Sequence, residues 1–521
     1  MDKVTKQAEL FLGEVERKEQ RVLEDDLNAR YPHEFEDWKG IYRWIVPQDL
    51  GGDLGSIEQL FLRGRCLSRR NLTCAIAFGQ SFLGSLPIWI AGNQEQKELI
   101  AHKLLNEKAT CVALTELDNG SDLMASKVTY VNELLSGEKW CINNATIAGS
   151  LSLLCQTQKG LTLLFIDKDQ LRKESFKYLP PLKTHGIKGA DISGIQFINA
   201  KIPASMAISR MGKGLEVIAK TLQVSRTLCS AFSLGALDSC LRMAIDFSYK
   251  RELYGKKLFL LDSVNTLIKK AYLKLLLIEG VSLVMNRAIT IYPQSMSLYS
   301  AVIKYQIPKV TDEAILLIGE VLGARSYLNE QDYPLFEKFK RDHAVVSLFD
   351  GSSGVNLFLI ATQTSNILKH LEANDSYSDV FNLEHQAPLF VGQGLRLSNR
   401  NFDFAISHYN SLKNKIHKDL FEIVESKISR LKKESQIDYD PKSYAARLRA
   451  QLYSQIICAC TYISFFYENK TLFAFNLDSE QTVIDVIFEL FGKEQKKYHD
   501  YQLEQYLSPQ IISHFQLDCE S

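Results

Sequence analysis

The sequence has no excess of charge of either sign, and this limits the partners that bulk electrostatics could select. Its 61 lysines and arginines are matched by 61 aspartates and glutamates, so the formal net charge is zero. Nucleic acids and acidic membrane surfaces attract basic chains, and neither is expected as a partner here. We also find no unbroken apolar run of the roughly 18 residues that cross a bilayer, so no transmembrane segment is predicted.

Cysteine is present, but without the spacing of a metal site. The ten cysteines are scattered, and Cys458 and Cys460 form C-x-C rather than C-x-x-C, with no histidine pair nearby. We therefore predict reduced thiols, no disulfide framework and no bound metal. The N-terminal segment mixes acidic and basic residues and lacks the apolar stretch of a signal peptide, which favours a cytoplasmic location.

The spacing of apolar residues changes along the chain and predicts several packed units. A chain of 521 residues is longer than one hydrophobic core usually holds. We predict a mostly α fold with a central β domain, because short bounded apolar runs occur only in the second region. The regions are a helical domain at 1–110, a β domain at 111–208, a four-helix bundle at 209–371, a polar linker at 372–390 and a helical extension at 391–521.

Turn and cap residues give approximate bounds for the bundle helices. The first should run from Leu215 to Tyr254, where Gly255 is a natural helix terminator. The second should run from Ser263 to Ile291, and the third should end near Gly323. The fourth should begin at the Ser352–Ser353 cap and end near Leu371.

Several short segments carry a family resemblance. Residues 113–122 read A-L-T-E-L-D-N-G-S-D, residues 250–256 read K-R-E-L-Y-G-K, and residues 349–355 read F-D-G-S-S-G-V. Arg226 and the Arg341–Asp342 pair stand between them in the expected order. Together these segments resemble the acyl-CoA dehydrogenases. The resemblance implies a helical domain, a β-barrel domain and a four-helix bundle, and some extended relatives also carry a C-terminal helical region.

The resemblance implies FAD as the cofactor and assigns its contacts. In the family, residues of the A-L-T-E segment face the flavin and pyrophosphate, and a G-x-K-x-W-I-T-N strand packs beside them. Here residues 137–144 resemble that strand, but Cys141 replaces its tryptophan and Asn143 replaces its threonine. The implied cofactor residues are Leu114, Thr115, Gly120, Ser121, Cys141, Asn143, Arg251, Tyr254 and Ser352.

Arg251 implies a second subunit. In family dimers the matching arginine reaches the pyrophosphate of the neighbouring subunit's FAD, so a homodimer or homotetramer is expected. Guanidinium suits this role, because its paired donors match phosphate oxygens. Two other positions depart from the family, because Asp262 and Glu320 stand where glutamines are usual. Both substitutions place acidic groups where a phosphate-bearing ligand is expected.

Asp350 stands where the family most often carries its catalytic glutamate. In the family reaction this base removes the Cα proton of an acyl thioester, and flavin N5 accepts the Cβ hydride. Ser225 occupies the position of the family's alternative base, so that base is absent, and Arg226 follows it; both are implied substrate-binding residues. A competing interpretation is that Asp350 only caps the following helix.

Three functions remain open at this stage. The first is α,β-dehydrogenation of an acyl thioester on CoA or on an acyl carrier protein, with electrons passing to an electron-transfer flavoprotein or to oxygen. The second is a flavin oxidase of another carbon acid, because aspartate is shorter than glutamate by about 1.5 Å and F-D-G resembles the nitroalkane oxidases. The third is a non-catalytic flavin-binding or assembly protein.

Overall fold

Helices with apolar residues every three or four positions form the first part of the protein. The computed structural model describes residues 3–13, 19–329, 333–368, 372–399, 403–435, 437, 440–470, 480–493, 501 and 503–507. Side-chain caps at Ser56 and Asn71 begin the two central helices of this region. Its helices are α1 (Lys3–Leu12), α2 (Glu19–Leu27), α3 (Glu34–Asp37), α4 (Ile57–Arg70), α5 (Leu72–Ala91) and α6 (Gln94–Leu105).

A mixed β-sheet follows, in the region where the sequence predicts strands. Its order is β6-β7-β3-β2-β4-β5-β8, and β1 pairs in parallel with β4. The central strands β4 and β5 are buried along almost their whole length, as expected of strands covered on both faces. The strands are β1 (Thr110–Ala113), β2 (Thr129–Val131), β3 (Leu134–Asn143), β4 (Ser150–Thr157), β5 (Gly160–Asp167), β6 (Phe176–Tyr178), β7 (Ile192–Lys201) and β8 (Ala207–Ile208).

Long helices that pack against one another form the bundle. They are α7 (Gly214–Lys250), α8 (Asp262–Ile291), α9 (Met296–Leu322) and α11 (Ser353–Ile367), with the shorter α10 (Pro334–His343) beside them. The predicted starts of the first, second and fourth of these helices lie within one residue of the observed ones. The predicted end of the fourth helix near Leu371 lies outside the residues that the structure describes.

The predicted end of the first bundle helix at Tyr254 is wrong. The helix ends at Lys250, and the chain turns back as a short hairpin of β9 (Glu252–Leu253) and β10 (Lys256–Lys257). Tyr254 and Gly255, at the turn, have φ angles of 55° and 75°. Two consecutive residues with positive φ match the twist of a tight hairpin, so Gly255 serves a β-turn rather than a helix terminus.

The polar segment 372–390 is anchored rather than a free linker. The buried Arg287 of α8 donates from Nε to the Val380 carbonyl at 3.0 Å and from Nη2 to the Asn382 carbonyl at 2.9 Å. The same guanidinium pairs with Glu58 of α4 at 3.0 Å. One side chain therefore ties the bundle, the N-terminal helices and this segment together, which the polar composition did not predict.

The C-terminal extension packs directly against the bundle. The segment 372–390 contains the short α12 (Ser378–Phe381), and the helices of the extension are α13 (Phe404–Ser411), α14 (Lys418–Ser435), α15 (Tyr444–Glu468) and α16 (Glu480–Leu490). The buried Asp403 joins the two parts, because it accepts hydrogen bonds from Tyr299 of α9 at 2.5 Å and from Tyr453 of α15 at 2.8 Å. Burial raises the pKa of Asp403 although these donors oppose the shift.

In the part of the chain that the structure describes, two helices are long and apolar enough to cross a membrane by length and composition, and a bent pair would make a third. They are Leu72–Ala91 and Gly214–Lys250, and 83% and 78% of their most apolar windows are buried inside the fold. Both helices are thus packed inside the fold and are not clear membrane spans, so the prediction of no transmembrane segment is not contradicted.

Candidate active site

Asp350 lies in a tight turn just before α11. Its φ angle is 55° and that of Gly351 is 102°, so two consecutive residues have positive φ. Arg226 of α7 holds this turn, since its Nε donates to the Asp350 carbonyl at 2.7 Å. A Cβ on Gly351 would lie 3.0 Å from Arg226 Nη2, and glycine allows this close approach.

Ser352, not Asp350, caps the helix. The Ser352 hydroxyl accepts a hydrogen bond from the Val355 N–H at 3.4 Å. The Asp350 side chain points instead toward Cys229 of α7, whose thiol lies 3.9 Å from Asp350 Oδ2. The interpretation of Asp350 as a helix cap is therefore wrong, and its carboxylate is left for another role.

The Asp350 carboxylate borders an apolar cavity of about 510 Å³, including its mouth. Ser225 and Cys229 are among its few polar lining groups. Ser225 Oγ is buried and has no hydrogen-bond partner among the residues that the structure describes. Burial raises the pKa of Cys229 to about 12, so its thiol is neutral near pH 7. The apolar wall consists of Leu60, Phe78, Phe82, Leu83, Leu228, Ala231, Phe232 and Phe349.

Two buried cations stand beside this turn. Arg226 is the first, and Lys304 of α9 is the second, with its ammonium bonded to the Val346 carbonyl and 4.4 Å from the Phe349 ring centroid. Burial lowers the pKa of Lys304, and the charge of Asp350 is among the effects that oppose this shift. Arg226 therefore holds the turn, Lys304 holds the segment that leads into it, and both place positive charge near the carboxylate. Sequence reasoning missed Lys304, although a lysine inside an apolar helical run is a usable signal.

The A-L-T-E segment and strand β3 are held together by backbone and charge. The Trp140 N–H donates to the Thr115 carbonyl at 2.9 Å, and Lys139 Nζ donates to the Leu114 carbonyl at 2.9 Å. Lys139 also pairs with Glu116 at 2.8 Å. These contacts bring together two segments that the sequence assigned to the same cofactor.

Glu116 is fully engaged inside this segment. Its carboxylate accepts hydrogen bonds from Lys139 Nζ at 2.8 Å, from Ser126 Oγ at 2.6 Å and from the Lys127 N–H at 2.7 Å. Burial alone would raise its pKa, but the hydrogen bonds from Lys139 and Ser126 outweigh burial and bring the pKa to about 2. Glu116 is thus ionised near pH 7 and serves the structure of this segment.

The remaining residues of this face have uncommitted polar groups that fit a flavin. Asn143 Oδ1 is buried without a hydrogen-bond partner among the described residues. Cys141, at a bulge with a φ angle of 56°, is exposed, and so are Gly120 and Ser121. An orphaned amide oxygen can be satisfied by a bound flavin, whose ring edge carries both donors and acceptors. The residues present therefore fit FAD.

Arg251 and Tyr254 are not brought to this site within one chain. Arg226 lies within α7, and Arg251 follows its last residue. The 25 positions between them correspond to about 37 Å of helix. Tyr254 is 91% exposed at the tip of the hairpin. The separation agrees with the implied role of Arg251 toward the cofactor of a second copy.

The Arg341–Asp342 pair joins α10 to two other segments of the chain. Arg341 pairs with Asp26 of α2 at 2.8 Å, while Asp342 accepts from the Ile187 N–H and from Lys338 of its own helix. These bonds join α10 to the N-terminal helices and to the loop before β7. The pair therefore serves the architecture around the site rather than contacting Asp350.

A cluster of three titratable groups was also missed by sequence reasoning. His33 Nδ1 lies 2.7 Å from Asp25 Oδ2 and 3.5 Å from Glu34 Oε2. Glu34 also accepts from Asn71 Nδ2 at 2.8 Å. The hydrogen bonds from His33 to Asp25 and from Asn71 to Glu34 join α2, α3 and the start of α5, and we assign no metal to the cluster.

Two family models match the chain over the regions just described. Residues 111–200 match the acyl-CoA dehydrogenase middle domain, and residues 212–364 match the acyl-CoA dehydrogenase C-terminal domain. The first covers the sheet and the second covers the bundle up to α11.

Similar proteins agree with these matches. A 3-(aryl)acrylate reductase of Clostridium sporogenes is 26% identical over 66% of this chain and 93% of its own length. Butyryl-CoA dehydrogenase of Megasphaera elsdenii has a TM-score of 0.63 at 20% identity, covering 70% of this chain and 98% of its own. An acyl-CoA dehydrogenase of Bacillus anthracis in complex with FAD has a TM-score of 0.72 at 17% identity, covering 94% of this chain and 85% of its own.

The comparisons confirm the predicted fold class, and they support FAD as the cofactor and an oxidoreductase acting on CH–CH groups. The Bacillus anthracis structure extends the fold-level likeness over most of the C-terminal extension as well, because it covers 94% of the chain. The chain therefore has the acyl-CoA dehydrogenase fold, and its residues 111–200 and 212–364 are similar to the middle and C-terminal domains of that superfamily.

Proposed function

We propose that the protein introduces an α,β double bond into an acyl thioester, on CoA or on a carrier protein, with Asp350 as the base. The observation that carries this proposal is the Asp350 carboxylate at the wall of an apolar cavity, in a turn held by Arg226. A base that faces an apolar cavity can meet the Cα of a bound acyl group while water is excluded.

The chain's own groups divide the work as follows. Asp350 takes the Cα proton, and the carbon–hydrogen bond electrons become available for the new double bond. Arg226 and Lys304 hold the turn so that the carboxylate keeps its position. The neutral Cys229 thiol and the unpartnered Ser225 hydroxyl are the polar contacts that the cavity offers near the reacting carbons. When bound, FAD supplies the acceptor for the Cβ hydride.

The cofactor contacts follow from the same site. Leu114, Thr115, Gly120, Ser121 and Asn143 would meet the flavin and pyrophosphate, and Cys141 would stand against the ring where the family has tryptophan. Ser352 would contact the cofactor at the start of α11. Arg251 and Tyr254 would meet the cofactor of a second subunit in a homodimer or homotetramer.

An electron-transfer flavoprotein is the expected electron acceptor, with oxygen as the alternative. A cytoplasmic location also remains a prediction. Neither affects the proton and hydride chemistry at Asp350, and each can be tested separately from it.

The test is an anaerobic titration of the purified, FAD-loaded protein with a panel of acyl thioesters. We expect the oxidised flavin absorbance near 450 nm to bleach with at least one thioester in the native protein and not in Asp350→Asn. A flavin that stays oxidised with every thioester, but is reduced by a nitroalkane, would replace the proposal with the carbon-acid oxidase. If the protein binds no FAD, both enzyme functions are excluded and only the non-catalytic assembly role remains.

A further inference from the structure

The C-terminal extension forms one wall of a second, open cavity. This cavity measures about 580 Å³, including its open mouth, and lies between the first turns of α11 and α15. Helix α11 contributes Gly354, Leu357 and Phe358, and the extension contributes Pro441, Lys442, Ser443, Tyr444 and Arg447.

The charged groups that line this cavity are both basic. Lys442 and Arg447 are exposed, and among the residues that the structure describes neither side chain has an ion-pair partner. The Asp440 carboxylate, just before the cavity, already accepts the Lys442 N–H at 2.9 Å. Ammonium and guanidinium groups that form no ion pair among the described residues can bind a phosphate group.

Aromatic rings complete the lining. Tyr444 is 74% exposed and Phe358 is 40% exposed, although both border the cavity. A flat aromatic surface beside cations is the combination that binds a nucleotide, because the ring stacks on the base while the cations meet the phosphates.

The position of the cavity relates it to the candidate active site. Gly354 is four residues beyond Asp350 and two beyond Ser352, so the cavity borders the first turn of the helix that follows the candidate base. Two molecules expected there, FAD and a CoA thioester, each contain an adenosine diphosphate group. The acidic Asp262 and Glu320, at positions where the family has glutamines, offer such a group no favourable charge.

We propose that Lys442, Tyr444 and Arg447 bind an adenosine-phosphate group, belonging to the cofactor or to the CoA thioester, so that the extension is part of the ligand site. The assignment rests on the proposed function. It gives the extension a binding role in addition to its packing on the bundle, and it explains how the chain can hold an adenosine-phosphate group despite its acidic substitutions.

The test compares Lys442→Ala/Arg447→Ala with the control Lys413→Ala/Lys433→Ala, which removes two exposed lysines of the same extension. Unchanged thermal unfolding would show that both variants fold. If the group belongs to the cofactor, the Kd for FAD should rise about 10- to 100-fold in the first variant only, and the Kd for FMN, which lacks the adenosine half, should not change.

If the group belongs to the thioester, FAD affinity should stay the same while the KM for acyl-CoA rises about tenfold and that for the matching acyl-pantetheine does not. FAD and acyl-CoA parameters that both stay within twofold of the unmodified protein would overturn the inference and leave the proposed function standing. If the proposed function itself fails, calorimetry with ADP alone decides the matter. ADP binding that the variant loses supports the site, and no ADP binding by the native protein refutes it.

Discussion

Two carboxylates from two signature segments, Glu116 and Asp350, have opposite environments. Glu116 accepts from an ammonium, a hydroxyl and a backbone N–H, and these donors hold its pKa at about 2. The hydrogen bond that the structure records at the Asp350 carboxylate is with a neutral thiol at 3.9 Å, and an apolar cavity lies in front of it. A saturated carboxylate maintains the fold, whereas an under-bonded one beside a cavity can accept a proton.

The largest expected effect is on the reaction rate of Asp350→Asn. Loss of the base should slow thioester-dependent flavin reduction by about 10²- to 10⁴-fold. Asparagine tolerates positive φ as well as aspartate does, so thermal stability should hardly change. Stopped-flow absorbance under anaerobic conditions measures the rate, and a rate within threefold of the native one would contradict the role of Asp350.

Lys139→Met should instead lower the stability of the fold, because it leaves the buried Glu116 carboxylate without its cationic partner. Both side chains are buried, with exposed fractions of 0% for Lys139 and 7% for Glu116. Removing one partner of a buried ion pair costs about 3–5 kcal/mol of unfolding free energy, measured by urea denaturation. Lys127→Met is the matched control, because its pair with Asp118 is exposed and should contribute at most about 1 kcal/mol. Equal losses in the two variants would show that burial does not distinguish these pairs.

Low pH should destabilise the fold by protonating the Glu116 carboxylate. The folded pKa of Glu116 is about 2 against an ordinary value of 4.5, so its contribution to stability is present above pH 4.5 and lost as the pH falls toward 2. The melting temperature of the native protein should therefore fall more steeply over this window than that of Glu116→Gln. Parallel melting curves from pH 5 to pH 3 would argue against an ionised Glu116 in the fold.

The smallest effect concerns two cysteines of the proposed site. Cys141 is exposed, whereas Cys229 is buried with a pKa raised to about 12. Iodoacetamide at pH 8 should modify Cys141 first, and FAD should slow that modification, while Cys229 stays unmodified until the protein unfolds. Peptide mass spectrometry identifies the modified thiol. Labelling of Cys141 that FAD leaves unchanged would place Cys141 away from the flavin.

The sequence predicted what is local and patterned. The A-L-T-E and F-D-G segments, the bounds of long helices and the region of strands all follow from residues that are close in sequence. The predicted helix end at Tyr254 was wrong, because the sequence alone does not distinguish a glycine that ends a helix from a glycine that forms a hairpin turn. The hairpin forms because the backbone of Glu252–Leu253 pairs with that of Lys256–Lys257.

What the sequence could not predict depends on distant contacts. Lys304 lies 46 positions before Asp350 and reaches its turn only through the packing of α9. The cavity at Tyr444 exists because the extension returns to α11, which no local pattern indicates. Arg287 is another residue whose role depends on distant contacts, because its guanidinium joins α8 to α4 and to the segment 372–390.

The left-handed backbone at Asp350 also bears on how this site could have arisen. Aspartate and asparagine occupy positive φ several-fold more often than most side chains, and other residues pay about 1–3 kcal/mol there. A lineage that acquired this aspartate would therefore have gained backbone stability while giving up side-chain reach. Reversion to glutamate would have to recover that stability elsewhere, so the substitution, once made, would tend to persist.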